Sequence, residues 1–306
     1  MLTISGLHVR YPSGVHALRG VSLSVAPGLF GLLGPNGAGK STLMRTVATL
    51  QEPTSGSVVF AGRPIHADPT AHRRRLGYLP QDFGVYPGVS AVVLLDHLAV
   101  LKGLADRAAR REQVEALLAQ VNLWPHRHRA VSSFSGGMRQ RFGVAQALLG
   151  DPRLLIVDEP TAGLDPVERS RFYNLLAEIG DSVVVLLSTH IVEDVRQLCS
   201  RLAILDGGRV VREGAPDDLI RELHDRVWVT TVARAADTPT VAPPHRVLSM
   251  QRVAGAVRLR VLGERAPSDA FNPASPDLED VYRSALERGA DGEVAGARRG
   301  AVTVAR

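Results

Sequence analysis

Between an apolar run, residues 29–33, and a segment of helical character lies the sequence Gly34-Pro35-Asn36-Gly37-Ala38-Gly39-Lys40-Ser41-Thr42. The spacing G-x-x-x-x-G-K-S in this strand–loop–helix setting predicts a phosphate-binding loop, and the flanking elements argue against an incidental glycine-rich turn. The glycines allow several backbone N–H groups to face one anion, and the helix adds the positive end of its dipole. We expect Lys40 to reach the β- and γ-phosphates of a nucleoside triphosphate and Ser41 to hold a bridging Mg²⁺.

The composition is that of a folded protein with a sizeable core. The chain has 306 residues, of which 45% are hydrophobic. This length suits one large α/β domain plus a smaller appendage, or two modest domains. The formal net charge is +5, and no concentrated stripe of basic and aromatic residues is present, so we expect no direct binding of nucleic acid. The single cysteine, Cys199, cannot form an internal disulfide, which is typical of a reducing cytoplasm.

The sequence contains no candidate for a membrane-spanning helix. Such a helix needs roughly 20 apolar residues. The longest apolar stretches, 91–101 and 183–187, are shorter, and Asp96 and His97 interrupt the first. No basic-then-apolar signal segment opens the chain. We therefore expect a protein that is soluble by itself and that reaches a membrane only through a partner.

The order of predicted elements indicates an α/β domain with a helical insertion. Residues 2–25 alternate apolar and polar side chains, which predicts antiparallel strands with one buried face. The apolar runs 154–157 and 183–187 are typical of parallel strands buried on both faces. Between about 87 and 150, three segments carry apolar residues at helical spacing. These segments are 90–104, 107–121 and 137–149.

Beyond residue 221 the sequence signals weaken. Residues 227–232 and 257–261 predict strands, 235–244 predicts a loop, and 278–286 has helical spacing. We interpret the chain as a nucleotide-binding domain over 1–220 and a small accessory domain over 221–288. Residues 289–306 are small, charged and poor in large apolar side chains, which predicts a disordered tail.

A phosphate-binding loop needs an acidic partner, and Asp158 and Glu159 provide one. They end the predicted strand 154–157, and ligands in open α/β sheets bind at the carboxyl ends of strands. Asp158 is suited to hold Mg²⁺ directly or through water. Glu159 is suited to orient and deprotonate an attacking water. A solvated acidic pair is the alternative, which the phosphate-binding loop upstream disfavours.

Two further polar residues follow predicted strands. His190 ends the strand that begins at residue 183, and a neutral imidazole there can hydrogen-bond the γ-phosphate and sense its presence. Gln81 follows the short strand 77–79 and can ligate Mg²⁺ through its carbonyl oxygen or order a water. Taken alone, neither residue type establishes such a role.

A second anion-binding pattern, Ser135-Gly136-Gly137, opens a predicted helix within the helical insertion. A serine and two glycines at a helix start present backbone N–H groups together with the helix dipole. A single nucleotide does not need two such cradles in one subunit. We therefore expect this one to serve a nucleotide held by another copy of the chain.

Together these patterns resemble the motifs of the ATP-binding subunits of ABC transporters, over roughly residues 2–220. Residues 34–42 resemble Walker A, 154–158 resemble Walker B, and Ser135-Gly136-Gly137 resembles the signature sequence. The resemblance also assigns an adenine-stacking aromatic, a Q-loop, a catalytic carboxylate, a D-loop and a switch histidine. Tyr11 is the stacking aromatic, Gln81 the Q-loop residue and Glu159 the catalytic carboxylate. Asp165 belongs to the D-loop, residues 163–165, and His190 is the switch histidine. An aromatic ring at Tyr11 suits stacking because stacking requires only a π face.

Three positions depart from the family's usual pattern. The signature has Phe134 instead of leucine and Met138 instead of glutamine, and Thr161 follows Walker B where serine is more common. The Ser-Gly-Gly core that faces phosphate is intact, and so is Asp165. We therefore expect activity to be retained.

The resemblance implies a P-loop NTPase fold of ABC type. Its expected parts are a mixed β core, an antiparallel β subdomain and a helical insertion, followed here by a small C-terminal α+β extension. It implies ATP and Mg²⁺ as cofactors and ATP hydrolysis as the activity. It further implies a head-to-tail dimer, with each ATP between residues 34–42 of one copy and Ser135–Gly137 of the other. The implied partners are integral membrane permease subunits docked around residues 82–87, so the expected location is cytoplasmic and peripheral at the inner face of the cell membrane.

Residues 276–282 resemble the closing helix of ATPases that serve exporters of drugs, antibiotics or ions with separate membrane subunits. This favours export, although an amphipathic helix that packs on its own domain explains the pattern equally well. A soluble ABC-type ATPase acting on nucleic acid or ribosomes is the alternative function. The short helical insertion without sustained heptads and the single cassette argue against it. A nucleotide-binding regulator without turnover is a further alternative, which Glu159 disfavours.

Overall fold

The computed structural model describes residues 1–81, 83–161, 164–180, 183–233 and 238–291, with the side chains of 287–291 excepted. The chain divides into two compact units, Met1–Val210 and Val211–Arg306. This division falls before residue 220, because the short helix Pro216–Arg221 contacts the helix that begins at Leu278. That helix continues to Asp291, and the remainder of the predicted tail, 292–306, lies outside the described residues.

The first unit follows the predicted order of elements. Its strands are β1 (Leu2–Arg10), β2 (His16–Val25), β3 (Gly28–Leu33), β4 (Ser55–Phe60), β5 (Arg63–Pro64), β6 (Leu76–Leu79), β7 (Leu154–Asp158), β8 (Val184–Thr189), β9 (Arg201–Asp206) and β10 (Arg209–Gly214), the last of which crosses the boundary between the units. Its helices are α1 (Lys40–Val47), α2 (Pro69–Arg74), α3 (Ala91–Lys102), α4 (Arg107–Gln120), α5 (Gly136–Leu148), α6 (Pro166–Gly180) and α7 (Val192–Leu198). The sequence analysis did not identify β5, α2, α6 or α7.

The central sheet has the strand order β10-β9-β3-β8-β7-β6 and is parallel from β9 to β6. Leu33 at the end of β3 pairs with Thr189 at the end of β8, and Asp158 at the end of β7 pairs with Ser188. The carboxyl ends of these three strands therefore lie at one edge of the sheet. The loop after β3 is the predicted phosphate-binding loop, so this register brings it beside the acidic pair.

The antiparallel strands predicted over residues 2–25 are confirmed as β1 and β2, in a sheet of order β2-β1-β4-β5. One hydrophobic cluster joins this sheet, the central sheet and α1. Its α1 members include Leu43, Met44 and Val47, each fully buried. Burial of one such side chain contributes about 1.5–3 kcal/mol, so α1 is held firmly between the sheets.

The helical insertion is confirmed as α3, α4 and α5, which contact one another. Two short 3₁₀ turns, Trp124–His126 and Val131–Ser133, connect α4 to α5. Asp106 caps α4 by accepting the Ala109 N–H at 2.7 Å. α5 also contacts β6, so the insertion is anchored to the central sheet.

The second unit is built on an antiparallel sheet. Its elements are α8 (Pro216–Arg221), β11 (Val227–Val232), β12 (Arg246–Val253), β13 (Ala256–Leu262), β14 (Asn272–Pro273) and α9 (Leu278–Asp291), with the strand order β12-β13-β11-β14. The sequence predicted β11, β13 and α9 and missed the short elements α8 and β14. It also missed β12. A register irregularity between Val247 and Ser249 explains this, because Leu248 and Ser249 are both buried and the period-2 alternation is broken.

The pattern at residues 276–282 has a structural role in this unit. Asp277 and Asp280 cap the start of α9 reciprocally, since each carboxylate accepts the other's backbone N–H, at 2.9 and 3.1 Å. The buried Asp280 carboxylate also accepts two hydrogen bonds from Arg260 on β13. The motif therefore attaches α9 to its own sheet.

We predict that Asp280→Asn destabilises the second unit by about 2 to 3 kcal/mol, because it leaves the Arg260 guanidinium without its buried counter-charge. The measurement is urea unfolding followed by the fluorescence of Trp228, in a Trp124→Phe background that leaves one tryptophan. The matched control is Glu279→Gln, which removes an exposed pair with Arg283 and should cost under about 0.5 kcal/mol. Equal losses for the two variants would contradict this role of Asp280.

Candidate functional site

The predicted phosphate-binding loop needs glycine at two positions for steric reasons. A Cβ atom at Gly34 would lie 2.3 Å from the Leu205 carbonyl oxygen. Gly39 has φ of 104°, and a Cβ there would lie 2.6 Å from the Ala17 carbonyl oxygen. The left-handed backbone at Gly39 turns the chain directly into α1, which begins at Lys40. The loop is thus shaped by close approach to its neighbours.

Lys40 lies buried between the loop and the end of β7. Its Nζ donates to the Gly34 carbonyl at 2.7 Å and to the Pro35 carbonyl at 3.1 Å, and lies 3.7 Å from Glu159 Oε1. Burial lowers the pKa of Lys40, and the carboxylates of Glu159 and Asp158 oppose that shift. The oxygen atoms around it thus favour the charged ammonium, which is the form that binds phosphate.

The two acidic residues after β7 have different environments. Asp158 is buried, and its Oδ1 accepts the Ser188 hydroxyl at 2.6 Å. Glu159 has φ of 47°, a left-handed conformation that is uncommon for a residue with a side chain. Its N–H donates to the Ser188 carbonyl at 2.9 Å, which holds this backbone in place. Its side chain is only 12% exposed.

His190 follows β8 and lies opposite Glu159. Its Nδ1 is 3.3 Å from Glu159 Oε1, and its side chain is 47% exposed. The tautomer with hydrogen on Nδ1 can donate to the carboxylate and leave Nε2 as an acceptor. The sequence predicted that Lys40, Glu159 and His190 lie at one edge of the central sheet. In the structure the side chains of Lys40 and His190 both lie close to the Glu159 carboxylate.

A cavity of about 750 Å³ contains these groups. Its volume lies in the range of small-ligand sites, which is about 300–1,000 Å³. The lining comprises Tyr11, Val15, His16, Ala17, Arg19, most of the loop from Pro35 to Thr42, Gln81, Glu159, His190, Gly207 and Gly208. Gln81 thus faces the same cavity as the loop.

The position of Tyr11 is set by its hydroxyl group. This hydroxyl donates to Gln51 Oε1 at 3.0 Å and lies 3.1 Å from Thr42 Oγ1. Tyr11 is therefore tied to α1 and to the segment after it, with its ring on the cavity wall. The sequence analysis did not identify Gln51, because its contact with Tyr11 exists only in the folded chain.

His16 and Arg19 on β2 also line the cavity and were not predicted. His8 Nδ1 and His16 Nε2 are 3.2 Å apart, and the two rings stack. Burial and the nearby Arg10, Arg19 and Arg209 lower the pKa of His16, which favours its neutral form. The turn after Tyr11 was a signal for these residues, since a hairpin places its second strand beside the first.

The Ser135-Gly136-Gly137 segment lies at the start of α5, and among the residues that the structure describes it does not contribute to the cavity lining. The Ser135 hydroxyl caps the helix by accepting the Met138 N–H at 3.2 Å. Phe134, where the family usually has leucine, is buried edge-on against Phe142. This departure therefore fills the core below the segment.

Glu168 on α6 connects this segment to Asp165. A Cβ at Gly137 would lie 2.6 Å from Glu168 Oε2, and that oxygen accepts from Arg141 on α5 at 2.8 Å. The Asp165 carboxylate accepts the Glu168 N–H at 2.9 Å, which caps α6. Gly163, the first residue of the predicted D-loop, lies outside the described residues.

Gly136 differs from Gly137 in its surroundings. A Cβ added at Gly136 would meet no atom of the described chain within 4 Å, and its backbone is not left-handed. Nothing in the described part of one subunit therefore requires glycine at this position.

Three of the predicted residues offer oxygen atoms to a metal ion. These are Ser41 and Gln81, which line the cavity with one hydroxyl and one amide carbonyl, and Asp158, a buried carboxylate that is not among the lining residues. Mg²⁺ is typically bound by one or two carboxylates together with substrate phosphates and waters, so this donor set fits it. The second carboxylate oxygen of Asp158 remains for such a role while Oδ1 binds Ser188.

Comparison with known proteins identifies the family. A family model described as ABC transporter matches residues 18–162. The methionine import ATP-binding protein MetN of Cupriavidus metallidurans is 37% identical over 266 residues, which cover 83% of this chain and 75% of the relative. The chain belongs to the ABC transporter family. It is an ATP-binding, ATP-hydrolysing subunit of ABC type, and the predicted family, fold class and enzyme class are confirmed.

Other relatives of this ABC subunit are named for drug resistance or for export. The daunorubicin/doxorubicin resistance ATP-binding protein DrrA of Streptomyces peucetius is 36% identical over 249 residues, covering 81% of this chain and 74% of the relative. The Nod factor export ATP-binding protein I of Cupriavidus pinatubonensis is 42% identical over 192 residues, covering 62% and 59%. The family thus includes both directions of transport among the relatives of this chain.

Solved structures of ABC cassettes share the fold. The dimeric bacterial cassette MJ0796 superimposes with a TM-score of 0.64 at 27% identity, covering 70% of this chain and 98% of that one. A post-hydrolysis state of the same cassette, bound to ADP and Pi, is 26% identical with the same TM-score. Within the described ranges, no helix of the present chain is long and apolar enough to cross a membrane.

Proposed function

We propose that two copies of this ABC ATPase close head to tail around two ATP molecules and that the resulting cycle powers export through membrane permease subunits. The observation that carries the dimer is the separation of two half-sites within one chain. The cavity contains the loop, Glu159 and His190, whereas Ser135-Gly136-Gly137 lies apart from it. An ATP molecule held between two copies contacts the cavity of one copy and the Ser135-Gly136-Gly137 segment of the other, so both have a ligand.

The residues in and beside the cavity have distinct roles in this proposal. Lys40 and the loop N–H groups bind the β- and γ-phosphates, and Tyr11 packs on the adenine ring. Glu159 accepts a proton from the attacking water, and His190 orients Glu159 by donating from Nδ1; a ring with hydrogen on both nitrogens also donates from Nε2 to the γ-phosphate. Ser41, Asp158 and Gln81 would hold Mg²⁺, which when bound neutralises charge on the phosphates.

Closure follows from the γ-phosphate. With ATP bound, its phosphate is contacted by the loop of one copy and by the α5 N-terminus of the other, so ATP stabilises the closed dimer. Asp165 is connected through Glu168 to the signature segment of the same copy. Loss of the γ-phosphate removes the bridge and favours opening, which is how hydrolysis drives a partner.

We predict that Glu159→Gln lowers kcat for ATP hydrolysis by at least about 10²-fold, because the amide cannot accept the proton. ATP binding should persist, and an ATP-bound dimer should accumulate in size-exclusion chromatography. Glu178→Gln, an exposed residue on α6, is the control and should behave as wild type. Unchanged turnover of the Glu159 variant would remove this residue from its role.

We predict that Gly136→Ala leaves the isolated subunit folded, with a stability change below about 1 kcal/mol, since the added methyl meets nothing there. The ATP affinity of the monomer should be unchanged. ATPase activity at protein concentrations that allow dimerisation should fall about 10²-fold, because the added methyl displaces the γ-phosphate of the ATP bound to the second copy. Ser135→Ala should also lower activity without weakening monomer binding. A loss of monomer ATP affinity in either variant would contradict the cross-subunit assignment.

Exposed apolar side chains on α3, in the helical insertion, support the permease partner. Val93 and Leu101 on α3 are 58% and 71% exposed, and their spacing of eight residues puts them on one helix face. A cavity of about 300 Å³, lined partly by Leu50, Leu98 and Leu101, adjoins β6, the strand before Gln81. Exposed apolar surface beside a pocket is typical of a protein interface. The predicted docking segment 82–87 leads into this surface, although Asp82 lies outside the described residues.

The export direction is supported by one alignment. An alignment with the probable multidrug transporter ATP-binding protein YbhF of Escherichia coli extends over 302 residues, 92% of this chain, at 30% identity. It therefore includes the second unit, although it covers only 51% of that relative. The pattern at 276–282 adds little, since its contacts explain it as the attachment of α9.

We predict that the double variant Val93→Glu/Leu101→Glu loses co-sedimentation with membranes of the native host while it retains ATP binding. The charges make burial against a permease unfavourable. Met250→Glu is the matched control, because Met250 is 62% exposed but belongs to the second unit. Failure of the wild-type chain to sediment with membranes, or equal loss in the control, would contradict docking at this surface.

A further inference from the structure

Asp194 is a buried carboxylate in the first turn of α7 and does not belong to the cavity lining given above. Its exposed fraction is 0%. Burial of a carboxylate is unfavourable unless hydrogen bonds satisfy it. The start of a helix also favours a negative charge.

Three hydroxyl groups from three different segments donate to Asp194. The Thr161 hydroxyl donates to Oδ2 at 2.5 Å, and the Thr189 hydroxyl donates to the same oxygen at 2.9 Å. Tyr173 on α6 donates to Oδ1. Burial and the adjacent Asp194 carboxylate raise the pKa of Tyr173, so its hydroxyl remains a donor. The carboxylate therefore joins the segment after β7, the end of β8 and α6.

The two threonines belong to the segments that carry Glu159 and His190. Thr161 follows Glu159 by two positions, and Thr189 directly precedes His190. The Thr189 hydroxyl also accepts the Ile191 N–H at 3.0 Å, which fixes the backbone on both sides of the histidine. One oxygen of Asp194 thus links the segment of Glu159 to the segment of His190. In these segments Glu159 Oε1 and His190 Nδ1 are 3.3 Å apart.

We propose that Asp194 is a positioning residue that sets the geometry of Glu159 against His190 by anchoring Thr161 and Thr189. This inference rests on the proposed roles of Glu159 and His190 in ATP hydrolysis. Because Asp194 does not contribute to the cavity lining, its loss lowers turnover and leaves nucleotide affinity intact. The two carboxylate oxygens of Asp194 have different roles. Oδ2 holds the segments of Glu159 and His190, whereas Oδ1 holds only α6.

The test compares four single variants of the full-length chain in steady-state ATPase assays. For Asp194→Asn and Thr161→Val we expect kcat to fall about 10- to 100-fold, with KM for ATP within about twofold of wild type. Thr189→Val should behave in the same way. Tyr173→Phe removes the donor to Oδ1 only, so it should lower Tm while kcat stays within about twofold of wild type.

A double-mutant cycle separates positioning from general destabilisation. The single variant His190→Ala is compared with the double variant His190→Ala/Asp194→Asn. The second substitution should lower kcat by less than a further factor of about two, because Asp194 acts through the alignment of His190 with Glu159. Asp280→Asn is the matched control. It alters another buried carboxylate, in the second unit, and should lower stability without lowering kcat.

The proposal is overturned by a wild-type kcat in Asp194→Asn, or by additive losses with His190→Ala. It is also overturned if Tyr173→Phe lowers kcat as much as Thr161→Val does. If Asp194→Asn does not fold, the threonine variants decide the outcome. An inactive wild-type chain would overturn the proposed function itself, whereas an active wild type with unaffected variants overturns only the role of Asp194.

Discussion

The burial of the Lys40 ammonium is the constraint on which the arrangement of the cavity depends. A cation that is 4% exposed requires oxygen atoms around it. The Gly34 and Pro35 carbonyls and the Glu159 carboxylate provide them, from the loop after β3 and from the end of β7. These strand ends must therefore meet at one edge of the sheet. The parallel register of β3, β8 and β7 achieves this and brings His190 to the same edge.

A second group of contacts organises the signature segment independently of the cavity. Glu168 packs on Gly137 and binds Arg141, and its N–H is capped by Asp165. Within one subunit the signature and the D-loop are therefore linked to each other, whereas the phosphate-binding loop is linked to Glu159 and His190. This division suits a site whose two halves come from different copies, because the contacts of each half are made within one chain. A solved ABC cassette with this fold is dimeric, and the space beside Gly136 leaves room for a ligand bound to a second copy.

The parts that the sequence predicted have local signals. The glycine spacing of the loop, the alternation over residues 2–25 and the helical periodicity of α3, α4 and α5 each follow from neighbours in the chain. The strand β12 was missed because its irregular pairing buries two consecutive residues, Leu248 and Ser249. Asp194 was missed for a different reason. A lone acidic residue in a short helix has no distinguishing pattern, and its three hydroxyl partners come from separate segments.

By itself, the sequence determined the family, the ATPase activity and the residue types of the site, because phosphate chemistry requires particular residues at short, fixed spacings. Only the tertiary structure decided which of them share a cavity, since strand order and register bring together residues that are far apart in the chain. It also decided that 276–282 attaches α9 to its sheet, that Phe134 fills the core, and that Thr161 and Thr189 share one oxygen of Asp194. Such contacts depend on packing between elements, for which a single sequence contains no local signal.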